Sequence, residues 1–190
     1  MKKILIAIIF SGLTIIAKGQ DASVEKSVFG IQTGVLGLWG HYELKLSNKI
    51  VLRSELGIDT EFRSGYAVIL YPVITIEPRW YYNLNKRERK SRRIDGNSGD
   101  FVSFKTSLHP YWIYISKNSH RRKRYNDLIV GFLSIVPTWG IRRNIGNHFN
   151  YEAGIGLGVR YIYLFHKSSP YQEHYFETVI NLHLRIGYRF

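Results

Sequence analysis

The sequence predicts an all-β protein, an eight-stranded antiparallel up-and-down transmembrane β-barrel. Three observations carry that expectation. Apolar and polar side chains alternate with a period of two through almost every segment after residue 27, the pattern of extended strands with one greasy and one polar face. The polar faces carry seven acids and seven bases, as a closed interior requires, because a buried charge needs a partner. The candidate strands run about ten residues or more with aromatic rings near their ends, which suits tilted strands crossing a bilayer with rings at headgroup level.

The first element is an address. Met1, Lys2 and Lys3 form a basic start, Ile4 to Phe10 is unbroken apolar sequence, and Ala17 and Gly19 place small residues before a cut ahead of Gln20. This is the tripartite pattern of a secretory signal peptide over residues 1–19, too short in its apolar core to span a bilayer as a helix. Residues 20–27 then form an N-terminal extension, and 28–190 the barrel. No later apolar run is long enough for a membrane helix. The chain has 27 Lys and Arg against 14 Asp and Glu, and loses Lys2, Lys3 and Lys18 with the signal, so the mature protein stays strongly basic. Zero cysteines exclude a disulfide scaffold, thiolate metal sites and a Cys nucleophile.

Eight strands follow in order. Val28 to Val35 is a weak first run. In the second, Leu38, Tyr42, Leu44 and Leu46 oppose His41, Glu43 and Lys45. In the third, Ile50, Leu52, Leu56, Ile58 and Phe62 alternate with Arg53, Glu55, Asp59 and Glu61. The fourth alternates Val68, Leu70, Ile74, Ile76, Trp80 and Tyr82 with Tyr71, Thr75, Glu77, Arg79 and Tyr81. The fifth sets Val102, Phe104, Leu108, Trp112 and Tyr114 against Ser103, Lys105, Ser107 and His109. The sixth, Leu128 to Arg142, is weak. The seventh runs from Phe149 to Tyr163 with Glu152, Gly154, Gly156, Gly158 and Arg160 on its polar face. The last alternates Thr178, Ile180, Leu182, Leu184, Ile186, Tyr188 and Phe190 with Glu177, Asn181, His183, Arg185 and Arg189. Turn residues separate them at Gly37, Ser47 to Lys49, Arg63 to Gly65, Asn144 to Asn147 and Lys167 to Gln172. Two longer basic connections span Asn85 to Asp100 and Lys117 to Asp127. Pro72, Pro78, Pro110 and Pro137 fall inside strands of a ring that has no free edge, which predicts bulges or kinks at several of them.

Inverted polarity separates this fold from a soluble secreted ligand-binding barrel, whose apolar face would point inward. The expected lumen network contains Glu43, Lys45, Arg53, Glu55, Asp59, Glu61, Glu77, Arg79, Lys105, Arg142, Glu152, Arg160 and Arg185, with Glu177 as the seventh acid. One aromatic girdle would comprise Trp80, Tyr82, Trp139, Phe149, Tyr151, Tyr188 and Phe190, and the other Phe62, Trp112, Tyr114, Tyr161 and Tyr163. Eight strands enclose a lumen just wide enough for side chains to fill, so a plugged interior without porin activity is expected.

The C-terminal Leu184-Arg-Ile-Gly-Tyr-Arg-Phe190 resembles the assembly signal of Gram-negative outer-membrane proteins. Glu77-Pro-Arg-Trp-Tyr-Tyr82 and the segment from Trp139 to Gly158 are similar to small bacterial proteins with an outer-membrane β-barrel domain. The resemblance covers most of residues 28–190. It implies an OmpA/OmpX-like porin-like fold in the cell outer membrane and recognition by the barrel assembly machinery through Leu184, Ile186, Tyr188 and Phe190. Both chain ends would then be periplasmic, with the turns near Asn48, Asp95 and Asn147. The loops near Gly37, Ser64, His120 and Ser169 would face outside. The prolines and the long basic connection after Asn83 depart from the tightest OmpX-like pattern.

A structural or surface-interaction role follows, with outer-membrane lipids including lipid A as partners. Lys117, Arg121, Arg122, Lys123 and Arg124 form a cationic loop whose guanidinium forks match lipid A phosphates. The periplasmic Lys86 to Arg93 stretch reads as a disordered basic turn. The alternative function, a lipid A-modifying enzyme, would draw on His166, Ser168, Ser169 and His174 with Glu173 and Glu177, at spacings that match no catalytic motif. The sequence assigns no catalytic residue, cofactor or metal. The glycines Gly154, Gly156 and Gly158 lie along one strand face with no helix after them, so they make room for lumen side chains and do not bind a dinucleotide. Neither basic cluster interleaves aromatics, so nucleic acid is not an expected partner.

Overall fold

A computed structural model of the chain describes residues 22–63, 67–111, 113–116, 128–166 and 172–190. It contains β1 (Ser27–Gly34), β2 (Gly37–Lys45), β3 (Ile50–Arg63), β4 (Ala67–Tyr81), β5 (Asp100–His109), β6 (Ile113–Ser116), β7 (Leu128–Ile145), β8 (Phe149–His166) and β9 (Gln172–Arg189). Both β5 and β6 run antiparallel against β4 and form one interrupted strand. Neighbours in sequence pair antiparallel, and β9 pairs back onto β1, so eight up-and-down strands close into a ring. The segment between β4 and β5 carries a short helix, α1 (Leu84–Arg89), and a 3-10 turn at Asp95–Asn97.

The period-two pattern decides which way side chains point. Burial alternates residue by residue along β1, β2 and β5, and the buried positions hold Gln32, His41, Glu43, Ser103, Ser107 and His109. The exposed positions hold Phe29, Ile31, Leu44, Phe104 and Leu108, and β7 to β9 continue the pattern with Ile135, Trp139, Ile155, Leu157, Leu182 and Leu184. The ring is therefore polar inside and apolar outside. Glycines make the crowded interior feasible. Gly30, Gly57, Gly140 and Gly154 stand directly across from His41, Trp39, Phe101 and His183 on the neighbouring strand. A Cβ at any of the four would fall within 2.8 Å of that ring.

The outward rings near the end that carries Ala22 and Phe190 match the expected first girdle. Trp80, Tyr82, Trp139, Phe149, Tyr151 and Phe190 are exposed there, with Trp139 Nε1 donating to the Tyr82 hydroxyl at 2.8 Å. Tyr188 joins them against His148, Phe149 and Phe190. Of the second girdle, Tyr161 packs on Phe176 and Tyr163 lies over Gly131. Trp112 and the side chains of Phe62 and Tyr114 lie outside the described residues.

The prolines distort the ring less than their sequence suggests. β3 and β4 keep one register from Ile50↔Trp80 to Arg63↔Ala67, straight through Pro72 and Pro78. Alternate strand residues direct their N–H to opposite neighbours, so each proline weakens one ladder only. The β4–β5 ladder skips Glu77 and Pro78, and the β7–β8 ladder skips Val136 and Pro137, without a change of register. Among the described residues a true shift occurs only at Pro110, where the pairing with β4 slips by one residue between β5 and β6. Pro72 faces that break. There the Tyr163 hydroxyl donates to the freed Pro110 carbonyl at 3.0 Å.

The connection from Asn85 to Asp100, whose Lys86 to Arg93 stretch reads from its charge as a disordered turn, is instead a folded cap. Leu84, Asn97 and Ser98 are buried, and Leu84 joins Ala22, Val24, Val51, Tyr81 and Phe101 in an apolar cluster against Ile94. Arg87 turns inward and donates to the Arg93 carbonyl from Nε and Nη2. Residues 22–26 belong to the same cap: the Val24 amide donates to Asn48 O, and the Lys45 amide to Lys26 O. Apolar anchors at Leu84 and Ile94 outweigh the solvation of the basic side chains between them.

Candidate functional site

The interior divides into two parts. Toward the cap, four arginines and four glutamates form one buried network. Glu43, Arg53, Glu55, Glu77, Arg79, Arg142, Glu152 and Arg185 are each no more than 4% exposed. Strand register builds this network directly. Glu43 stands across from Arg53, Arg53 from Glu77, Arg142 from Glu152, and Glu152 from Arg185. Opposite charges at facing positions stabilise the register, and a one-residue slip would turn every one of them outward.

Glu152 is the hub. Arg79 donates to both of its carboxylate oxygens at 2.8 Å, and Arg142 Nη2 reaches it at 2.7 Å. Arg142 Nη1 also meets Glu43 at 2.7 Å, and Arg53 Nη1 meets Glu43 at 2.9 Å. Arg79 also holds Glu77, and Arg185 holds Glu55, each at 2.8 Å. Neutral groups complete the set: Gln32 accepts from Arg53 at 2.7 Å and donates to Asn150 at 3.0 Å, and Ser103 donates to Glu77 at 2.6 Å. The cap closes it, with Asn97 Nδ2 donating to Glu43 at 2.7 Å. Glu25 anchors the lid by accepting from the Gly96 amide and from Arg189. Asp95 lies outside the strands, and hydrogen bonds from Arg93 hold its carboxyl below the ordinary carboxylate range.

The other part opens toward the far end of the ring. Asp59 accepts from Trp39 Nε1 at 2.7 Å and pairs with His109 Nε2 at 2.8 Å. His109 stacks on Phe132, with centroids 4.0 Å apart. Arg160 pairs with Glu177 at 3.0 Å and lies over the Phe132 ring, while Arg185 lies over Trp39. Asp59, Lys105, His109, Arg160 and Asn181 line this chamber. The Asp59 side chain is 35% exposed, whereas the network carboxylates are closed off. The expected plug thus fills one half of the lumen and leaves the other half open.

The expected network residues distribute accordingly. Asp59 and Arg160 form separate chamber pairs, and Lys105 projects between the two halves. Lys45 turns to the cap and donates to Ser23 at 2.6 Å. The Glu61 side chain lies outside the described residues, as do the signal segment, Lys117, Arg121, Arg122, Lys123, Arg124, Ser168, Ser169 and the His166 side chain. Glu173 and His174 are exposed, and no cluster of three metal-ligating carboxylates and imidazoles occurs among the described residues. Leu184, Ile186 and Phe190 point outward, and the Phe190 amide donates to Phe29 O where the ring closes. Sequence reasoning missed Gln32, Asn97 and Asn150 in the network, and the pairing of Asp59 with His109. Inward parity is the one signal that could have marked Gln32 and Asn150. Nothing local marked the pairing, which joins residues fifty positions apart.

No protein-family model and no curated protein matches this chain.

Proposed function

We propose that the protein is a small integral outer-membrane β-barrel that is closed to diffusion and serves a structural or surface-interaction role. One observation carries the reading. An outward surface of exposed Leu, Ile, Val and Phe surrounds an interior of buried, paired Arg and Glu, the polarity a barrel needs in hydrocarbon and the reverse of a water-soluble one. The aromatic ring at the terminal end suits one membrane interface. The amino-terminal segment reads as an export signal, and Leu184, Ile186, Tyr188 and Phe190 as the handle for the barrel assembly machinery. On this reading, the cations that the sequence clusters from Lys117 to Arg124 suit lipid A phosphates as partners.

The sealed half argues against a pore, because an ion crossing it must displace members of a network of paired charges beneath a folded cap. Reconstitution into planar bilayers tests this: a barrier without conductance steps supports the reading, and discrete single-channel steps from the wild-type chain overturn it. Heat-dependent gel mobility of the membrane fraction tests the location, and recovery of the protein in the soluble fraction after lysis refutes it.

A further inference from the structure

We propose that the ring has a lateral notch between β9 and β3 that binds a single-chain amphiphile with an anionic head, its head in the open chamber and its chain toward the bilayer. The inference rests on the membrane reading above. The notch exists because the first hairpin is short. β1 pairs with β9 only from Gly30↔Arg189 to Gly34↔Arg185, so Gln172 to Leu184 has no partner on that edge among the described residues. β2 ends against β3 at Gly37↔Asp59. Above that point two strands are missing between β9 and β3, a gap of about 14 Å at ordinary strand spacing.

The hairpin tip ends within the apolar band. It lies level with Arg185, three residues along β9 from Tyr188 in the terminal aromatic ring. Three strand residues at the usual tilt rise roughly 8 Å, against a band about 25 Å tall. The tip is apolar to match: Val35 is 80% and Leu36 51% exposed. The shoulder of the notch is Ile180 and Leu182, 68% and 78% exposed, which pair with β8 on one side and have no strand partner on the other among the described residues.

Behind this greasy entrance the wall turns polar. The four network glutamates are matched by four arginines, which leaves Lys105 as an additional inward cation with no carboxylate within 4.0 Å among the described residues. Buried nitrogens around the same chamber lack hydrogen-bond partners: His109 Nδ1 on β5, on a side chain 6% exposed, and Arg185 Nε on β9. A cation and unpaired polar nitrogens behind an apolar slot suit one charged head on one hydrocarbon chain. The unpaired backbone edge of β9 borders the chamber, whose polar lining spares it the bare hydrocarbon that would leave it unsatisfied.

Trp39 reports on the site. It packs beneath the hairpin tip, where a Cβ on Gly34 would lie 3.3 Å from its ring. In a variant carrying Trp80→Phe, Trp112→Phe and Trp139→Phe, folded in non-ionic detergent, 9,10-dibromostearate should quench Trp39 saturably by at least half. Lys105→Gln should raise the half-saturating concentration about tenfold and Lys105→Arg restore it, each with heat-dependent gel mobility retained. The methyl ester of the same acid should quench far more weakly. Absence of saturable quenching in the folded, detergent-bound protein overturns the proposal, as does equal quenching by the ester. A dimer that protects the β9 edge and leaves Trp39 unquenched also overturns it, by assigning the edge to a second copy. A chain that stays monomeric in buffer without detergent instead sinks the membrane reading beneath it.

Discussion

Glu152→Gln is the perturbation that most strongly probes the sealed interior. The carboxylate accepts from Arg79 and Arg142 with no solvent contact, and the amide keeps its shape while removing one negative charge. Four network glutamates become three against four arginines, and the Gln nitrogen must point at a guanidinium. Removing one partner from a buried ion pair typically costs about 3–5 kcal/mol, because the remaining charge is left uncompensated. At this chain length that corresponds to a fall in Tm of roughly 6–20 °C. The assay is reversible urea unfolding of the reconstituted protein, followed by tryptophan fluorescence and checked by calorimetry. Adding Arg142→Gln restores the charge balance, and the pair should be less destabilised than the sum of the singles, with a coupling of about 0.5–3 kcal/mol. A loss below about 1 kcal/mol for Glu152→Gln, the range of a solvated surface pair, would show the interior to be hydrated and refute the argument.

Three further outcomes follow from particular contacts. Gly154→Val places carbon atoms against His183, whose ring lies 2.5 Å from a Cβ at that position, and should cost about 1–3 kcal/mol by overpacking; unchanged urea midpoints would contradict that packing. Asp95 has its folded pKa depressed by Arg93, so its contribution to the cap is present above its unfolded value of about 4 and fades as pH falls through the folded one. Hydrogen exchange at Gly96 and Asn97, corrected for intrinsic rates, should therefore accelerate from pH 5 to pH 3 in the wild type and show no such pH step in Asp95→Asn. Phe190→Ala removes the ring that stacks on Phe29 with centroids 5.3 Å apart and the terminal residue of the assembly signal, so membrane levels should fall severalfold; wild-type levels would remove that role.

Much of the fold was legible because a strand period of two maps sequence parity onto faces. Arg53, Glu77, Glu152 and Arg185 were placed inside by parity alone, and their pairing follows from register. The cap was hidden by its own charge. Its basic residues mask Leu84 and Ile94, and only tertiary packing with Ala22 and Val24, far upstream, reveals that these two anchor it. The division of the lumen was hidden for a different reason. The sequence marks a turn at Gly37 but not its height, which depends on pairing between Gly34 and Arg185 across 151 positions. Prolines misled because parity does not tell which ladder an absent N–H weakens.

The inside-out polarity of the ring is tested most directly by single-site labels, since the chain has no native cysteine to remove. Spin labels on Phe104→Cys, Leu157→Cys and Leu182→Cys in bilayers should be accessible to oxygen and protected from a water-soluble nickel chelate. A label on Asn147→Cys, in the β7–β8 turn, should show the opposite preference. If the Phe104, Leu157 and Leu182 labels meet the chelate as freely as the Asn147 label, the apolar surface does not face hydrocarbon and the account fails.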